Sequence, residues 1–200
     1  LEANTDIIFN ESVLATGTSS NRGNLTLSAG RSIELANNVQ ISLNDRNFTA
    51  TINDGGASTG STSSGTPHRA IGPAEFNMGT GSSIVTNGGN ITIQTGSFQG
   101  NDIGDITLQT LNSSVPGPIA NDIAHGGNIA VTNLSGNITV NGTVLGTGEN
   151  PANLTGGNGG LIQFSANAGA FTLASTGSIT SNGGNAGGAN SAGGNGGDIS

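Results

Sequence analysis

The repeat that decides the fold is clearest in residues 126–144, GGNIAVTNLSGNITVNGTV, and residues 159–179, GGLIQFSANAGAFTLASTGSI. Each stretch contains three short runs in which apolar and polar residues alternate, as they do in half-buried β-strands. The runs recur at offsets of 33, 33 and 35 residues. The corresponding pairs are Ile129 and Ile162, Ile138 and Phe171, and Val144 and Ile179. A further run, DIS at 198–200, places Ile199 37 residues after Ile162.

The N-terminal part of the chain repeats in the same way. The segment from Leu1 resembles that from Leu27 at an offset of 26 residues, and the segment from Asn24 resembles that from Asn47 at an offset of 23. Repeats of this length, with three short strands and one Gly/Asn-rich corner where insertions accumulate, are typical of a parallel β-helix. We therefore predict an all-β protein, a right-handed parallel β-helix (solenoid) with about three short strands in each of about six to eight coils and Gly/Asn-rich corner loops.

The apolar residues of the alternating runs form the predicted core. They are Leu25, Leu27, Ile33, Leu35, Ile41, Leu43, Ile91, Ile93, Ile106, Leu108, Ile129, Val131, Ile138, Val140, Ile162, Phe164, Phe171, Leu173 and Ile179. Residues 53–82 show no alternation, and we interpret them as a loop or excursion within a single β-helix region that spans residues 1–200. Ile91 and Ile106 are only 15 residues apart, which predicts two strands of one coil.

The composition excludes several classes of protein. Gly, Asn, Ser and Thr make up 108 of the 200 residues, and there is no Cys and no Lys. Without Cys there is no disulfide framework, and a net charge of −8 leaves no basic surface for nucleic acid. No apolar run reaches the length of a membrane span. The last run stops in mid-repeat and neither end carries a cap or signal peptide, so we expect a fragment of a longer chain.

Four stretches of the chain carry a resemblance to a known family. They are residues 24–43, 88–98, 126–144 and 159–184, and together they resemble the repeats of the filamentous haemagglutinin family, the large bacterial exoproteins of two-partner secretion. The resemblance implies a secreted or cell-surface β-helix that acts in adhesion as a stalk or haemagglutinin. It also implies an outer-membrane transporter as the secretion partner, and glycans or surface proteins of a host or the environment as ligands.

Parallel β-helices also include lyases and glycosidases, so a carbohydrate-binding or carbohydrate-active protein is the alternative. Such an enzyme needs paired carboxylates. The acids here are dispersed along the chain, and only Asp102 and Asp105, followed by Asp122 and His125, lie close together in sequence. We therefore predict no catalytic residue, no cofactor-binding residue and no enzyme activity. A groove that united these four side chains would favour catalysis.

Two weaker candidates for binding remain. The tail GGNGGDIS at 193–200 resembles a calcium-binding repeat, which makes Asp198, with Asp102 and Asp105, a candidate for Ca²⁺. The most distinctive polar segment, TPHRAIGPAE at 66–75, predicts a recognition loop with His68, Arg69 and Glu75.

Asn-x-Ser/Thr triplets, the acceptor pattern for N-glycosylation, are frequent in this chain. They begin at Asn10, Asn24, Asn47, Asn90, Asn112, Asn133, Asn137, Asn141 and Asn153. A chain so rich in Asn, Ser and Thr forms such triplets by chance, and the intact mass of the native protein tests whether any of them is modified.

Overall fold

The computed structural model describes residues 1–15, 23–57, 72–96, 103–117, 123–152 and 154–200. In these residues the chain forms eighteen short strands and no helix. The strands build three six-stranded sheets, A, B and C, in which every pair is parallel. The protein is therefore an all-β parallel β-helix with three strands per coil, as the sequence predicts.

Each coil contributes one strand to each sheet, in the order A, B, C. Sheet A contains β1 (Glu2–Ala3), β4 (Leu25–Ala29), β7 (Phe48–Ile52), β10 (Ile91–Thr95), β13 (Ile129–Asn133) and β16 (Ile162–Ala166). Sheet B contains β2 (Ile7–Phe9), β5 (Ile33–Leu35), β8 (Ala74–Met78), β11 (Ile103–Leu108), β14 (Ile138–Val140) and β17 (Phe171–Leu173). Sheet C contains β3 (Val13–Leu14), β6 (Gln40–Ser42), β9 (Ser83–Val85), β12 (Thr110–Asn112), β15 (Thr143–Leu145) and β18 (Ser178–Thr180).

The strand registers confirm the repeat offsets read from the sequence. The three C-terminal pairs are Ile129 with Ile162, Ile138 with Phe171, and Val144 with Ile179. At the N-terminus, Glu2 pairs with Ser28 and Leu25 with Phe48. Ile199 forms a bridge to Ile162, so the DIS run starts a further strand on sheet A. Strands β10 and β11 belong to one coil, which confirms the interpretation of the short interval between them.

The core is a continuous column of side chains inside the coils. In β7 the residues alternate between buried and half-buried, and Phe48, Ala50 and Ile52 are fully buried. No strand buries more than three side chains and those of sheet C bury at most one, so a chain of low apolar content can still close its core. The predicted core residues that are buried are Leu27, Ile33, Leu35, Ile41, Leu43, Ile91, Ile93, Ile106, Leu108, Ile129, Val131, Ile138, Val140 and Ile162.

Five predicted core residues are not buried. Phe171 and Leu173 on β17 are 43% and 45% exposed, and Phe164, Ile179 and Leu25 are half-buried. Except for Leu25, these side chains belong to the sixth coil, on which no complete coil stacks among the described residues. Phe164, Phe171 and Ile179 line an apolar hollow of about 280 Å³ together with Ile199 and Ser200. Periodicity predicts the direction of a side chain, whereas burial also requires a neighbouring coil.

The interpretation of residues 53–82 as a loop is wrong for its C-terminal part. Ala74–Met78 forms β8, with alternate residues buried, and it pairs in register with β5. The sequence AEFNM contains no β-branched residue and follows a proline, so its strand propensity is weak. Its inward residues Phe76 and Met78 nevertheless continue the core columns that contain Ile33 and Leu35. Residues 58–71 lie outside the described part of the chain.

The corners of the coils differ in length. Segments between sheets B and C span one to four residues in every coil, whereas all the long segments lie at the two corners that border sheet A. Insertions therefore leave the β-helix on both sides of sheet A and not between sheets B and C.

Some corner residues adopt the left-handed backbone conformation, which asparagine and aspartate tolerate better than most residues. Apart from glycines, the described residues with positive φ are Asn38, Asn44, Asp45, Asn53 and Asn87.

A column of glycines stacks backbone on backbone just before sheet A. A Cβ atom on Gly127 would lie 2.1 Å from the carbonyl oxygen of Gly89, and one on Gly160 would lie 2.1 Å from that of Gly127. The same distance separates a Cβ on Gly197 from the oxygen of Gly160. The Gly-Gly pairs that precede β10, β13 and β16 are thus a packing requirement, because no side chain fits between these coils.

Candidate interaction surface

A ladder of asparagine side chains runs along the start of sheet A. The N–H groups of Asn47, Asn90, Asn128 and Leu161 each donate to the side-chain Oδ1 of the asparagine one coil earlier, at 2.8–3.1 Å. The first acceptor is Asn24. Each asparagine therefore satisfies a backbone donor at the coil edge that would otherwise bond to water. The ladder holds successive coils in one register.

This ladder explains the frequency of Asn-x-Thr triplets. Asn24, Asn47 and Asn90 are followed by an inward apolar residue and then by an outward threonine. Asn137 has the same pattern in sheet B, where its Oδ1 accepts from the N–H of the following coil at 2.9 Å. These four Asn-x-Thr triplets therefore have a structural cause in the fold.

On five strands of sheet A, β4, β7, β10, β13 and β16, the outer face consists of two columns of uncharged side chains, and Glu2 on β1 lies beside Ser28 at the end of one column. The first column is Thr26, Thr49, Thr92, Ala130 and Gln163, and the second is Ser28, Thr51, Gln94, Thr132 and Ser165. The five strands that carry them are each five residues long and pair without a register shift. Each column therefore crosses five coils at a constant position on the strand, spaced about 4.8 Å apart.

The outer face of sheet B carries acidic groups at the corner where its strands start. Asp6 accepts from the N–H of Ser32 at 3.0 Å, Ser32 Oγ accepts from the N–H of Glu75 at 3.1 Å, and Asp105 accepts from the N–H of Asn137 at 2.8 Å. Glu75, predicted for a recognition loop, instead lies on β8 with its side chain exposed. The expected loop position of Glu75 is wrong because β8 was missed, whereas a role of Glu75 in recognition stays a prediction. Asp105, a predicted candidate for Ca²⁺ binding, accepts a backbone hydrogen bond from the next coil in the same way as the ladder asparagines of sheet A.

One ion pair ties the first two coils together. Arg31 Nε donates to Asp6 Oδ1 at 2.8 Å, and the second guanidinium nitrogen contacts the other carboxylate oxygen. The hydrogen bond to Asp6 raises the pKa of Arg31 above its ordinary value, the charges of Asp6 and Glu34 act in the same direction, and partial burial opposes them. The side chains remain 30% and 17% exposed, so water screens the pair.

His125 accepts a backbone hydrogen bond from the next coil, as the ladder asparagines do. Its Nδ1 accepts from the N–H of Asn158 at 2.8 Å, and Asn158 Oδ1 in turn accepts from the N–H of Asn195 at 2.9 Å. His125 lies at the corner before sheet A, whereas Asp105 lies on β11 of sheet B. Asp105 and His125, two of the four residues that lie close together in sequence, are therefore at different corners. The other two, Asp102 and Asp122, lie outside the described residues.

The remaining candidates for binding are separate from one another. Asp198 is exposed, and its backbone carbonyl accepts from the N–H of Ile162 at 2.9 Å. Within the described ranges, no group of three or more His, Asp or Glu side chains could hold a metal ion. His68 and Arg69 lie in the part of the chain that is not described.

Two polar features were not predicted from the sequence. Glu149 is fully buried in the corner after sheet C, and its carboxylate accepts from the N–H of Ala124 at 2.8 Å. A cleft of about 400 Å³ opens at the same corner, three coils wide. Its lining residues are Asn44, Asp45, Asn87, Gly88, Val115, Pro116, Gly117, Ala124 and His125. No local pattern marks either feature, because both depend on how corners of different coils stack.

Comparison with protein-family models, with curated proteins and with solved structures found no match to this chain. The described residues include no helix that is long and apolar enough to cross a membrane.

Proposed function

We propose that this chain is a structural and adhesive segment of a secreted or cell-surface bacterial exoprotein, a β-helical stalk that presents binding loops. The observation that carries the proposal is the arrangement of the coils. Six coils stack without interruption around one core, and every long insertion leaves at one of the two corners beside sheet A. Loops on a rigid scaffold are the usual place for recognition.

The polar chemistry of the described residues also supports a structural role. Asp105, His125 and the ladder asparagines accept backbone hydrogen bonds from the next coil. Their side chains are thus committed to holding coils together. On the sequence resemblance, the proposed ligands are glycans or surface proteins, and an outer-membrane transporter is the proposed secretion partner.

A carbohydrate-active alternative has weaker support. The cleft at the corner after sheet C combines the carboxylate of Asp45 with His125 and the amides of Asn44 and Asn87. Glycoside hydrolysis uses two carboxylates that face each other across the bond. The described residues that line this cleft include one carboxylate, that of Asp45, so the cleft suits binding better than catalysis.

A glycan and extracellular-matrix array tests the adhesion proposal. The purified chain is compared with a variant in which residues 55–71 are replaced by a short Gly/Ser turn. We expect the parent chain to retain at least one ligand, and the loop variant to lose it with an unchanged far-UV circular dichroism spectrum. A parent chain that binds nothing on the array, or a loop variant that binds equally well, would contradict the proposal.

A further inference from the structure

We propose that the outer face of sheet A binds ice, through two columns of side chains that, except for Ala130, all carry a hydroxyl or amide group. This inference is independent of the adhesion proposal, because it concerns the outer face of sheet A and not the loops. It starts from a property of five neighbouring strands: none of β4, β7, β10, β13 and β16 contains a charged residue. Charged groups lie at the end of the face next to Ser28, which pairs with Glu2 on β1 and donates to Asp54 at 2.5 Å.

The spacing of the face is set by the backbone. Neighbouring coils are about 4.8 Å apart, and outward residues of one strand are about 6.6 Å apart, at two residues of about 3.3 Å each. Oxygen atoms on the faces of hexagonal ice repeat over comparable distances. Thr26, Thr49 and Thr92 form one column, and Thr51 lies beside Thr49 on the same strand. A hydroxyl array with this spacing can hold water molecules in lattice-like positions.

The array is also rigid before it meets any partner. Threonine is β-branched, so its χ1 angle is restricted on a strand and little side-chain entropy remains to be lost. Gln94 Nε2 donates to Thr51 Oγ1 at 3.2 Å, which fixes two outward side chains of adjacent coils. The asparagine ladder beside the face keeps the coils in register. Rigid, preorganised groups bind without an ordering cost.

The chemistry of this face makes proteins, glycans and charged molecules less suitable partners than ice. Protein interfaces depend on Trp, Tyr and Arg, and glycan sites commonly stack sugar rings on aromatic side chains. The chain contains no Trp or Tyr, and every described Phe occupies an inward strand position. Charged partners find no complementary group on these strands. An uncharged hydroxyl face matches a lattice of water better than it matches a macromolecule.

Matched pairs of substitutions test the face. Thr49→Lys with Thr92→Lys places two long charged side chains in adjacent coils of sheet A. Thr110→Lys with Thr143→Lys does the same on adjacent strands of sheet C, where the parent residues are equally half-buried. The measurements are thermal hysteresis and incorporation into a slowly growing ice hemisphere, with protein in the melted ice quantified by amino-acid analysis.

We expect the parent chain and the sheet C variant to enter ice and to show thermal hysteresis, and the sheet A variant to lose both. If the sheet A lysine variant fails to fold, Thr49→Val with Thr92→Val keeps the shape, removes two hydroxyls, and is expected to lower the hysteresis. Exclusion of the folded parent chain from ice would overturn the proposal. So would equal loss in the sheet C variant, or capture on crystalline cellulose without uptake into ice.

Discussion

Replacing Gly127 with alanine is expected to destabilise the β-helix because of the glycine column before sheet A. The new Cβ would lie 2.1 Å from the backbone oxygen of Gly89, whereas ordinary contact begins at 3.4 Å. The coils would have to separate by the difference, 1.3 Å. That separation is opposed by the 2.9 Å bond from the Gly127 N–H to the Ser113 carbonyl and by the 2.6 Å bond from Ser113 Oγ to the Gly127 carbonyl.

The magnitude follows from these contacts. Weakening two hydrogen bonds at about 0.5–1.5 kcal/mol each and overpacking a rigid layer give a loss of about 2–4 kcal/mol in the free energy of unfolding. For a chain of this length that loss lowers Tm by about 4–16 °C. Gly117→Ala is the matched control, because a Cβ there meets nothing within 4 Å, and its effect should stay within about 0.5 kcal/mol.

Urea unfolding followed by far-UV circular dichroism measures both variants, and hydrogen exchange locates the damage. We expect exchange to accelerate in the Gly-rich corner and in the adjoining sheet A strands of the Gly127→Ala protein. If the two variants unfold at the same free energy, within about 0.5 kcal/mol, the argument that glycine is required by backbone stacking is refuted.

Three further predictions concern the ladder, the core and the ion pair. Asn47→Ala removes an acceptor from the next coil and should cost about 0.5–1.5 kcal/mol, whereas the exposed Asn10→Ala should change the free energy of unfolding by less than about 0.5 kcal/mol. Ile91→Ala, in the closed core, should cost about 2–5 kcal/mol, and Phe171→Ala, at the open end, only about 1–2 kcal/mol. Arg31→Gln should cost about 1 kcal/mol, equally at about pH 7 and about pH 10.

The sign of the last prediction follows from the raised pKa of Arg31. A cation whose pKa is higher in the folded state contributes its full stabilisation below its pKa in the unfolded state, and it loses that stabilisation only as the pH rises above this strongly alkaline value. A cost for Arg31→Gln that shrinks between neutral and mildly alkaline pH would contradict this reasoning. Equal costs for the two asparagine variants, or for the two core variants, would contradict the ladder and the open end respectively.

The local signals of this chain were sufficient for much of its architecture. Period-two alternation predicts strands, and Gly-Gly-Asn before a strand predicts a corner at which coils stack. The offsets between Ile129 and Ile162 and between Leu25 and Phe48 can be read directly from the recurrence of similar strands in the sequence. The long insertion between β7 and β8 removed that signal. Across it the coil offset grows to 43 residues, as in the pairing of Phe48 with Ile91, and β8 and β9 were missed.

The candidate surfaces could be predicted only in part. Asp105 and His125 were identified as chemical groups, but their roles as ladder acceptors depend on the N–H groups that stack above them. The threonines of sheet A were visible as the polar half of each alternation. Their arrangement in continuous columns follows from the summed lengths of all intervening corners, which no single repeat contains.

The sequence by itself determined the fold class, the three strands per coil and the inward side of most strands, because these depend on residues a few positions apart. The tertiary structure decided which coils cover which side chains and which polar groups share a face. Phe171 is inward by pattern yet 43% exposed, and Glu149 is polar by type yet fully buried. The physical reason is that burial and alignment in a solenoid are properties of neighbouring coils, whose positions are fixed by parallel hydrogen bonding between residues far apart in sequence.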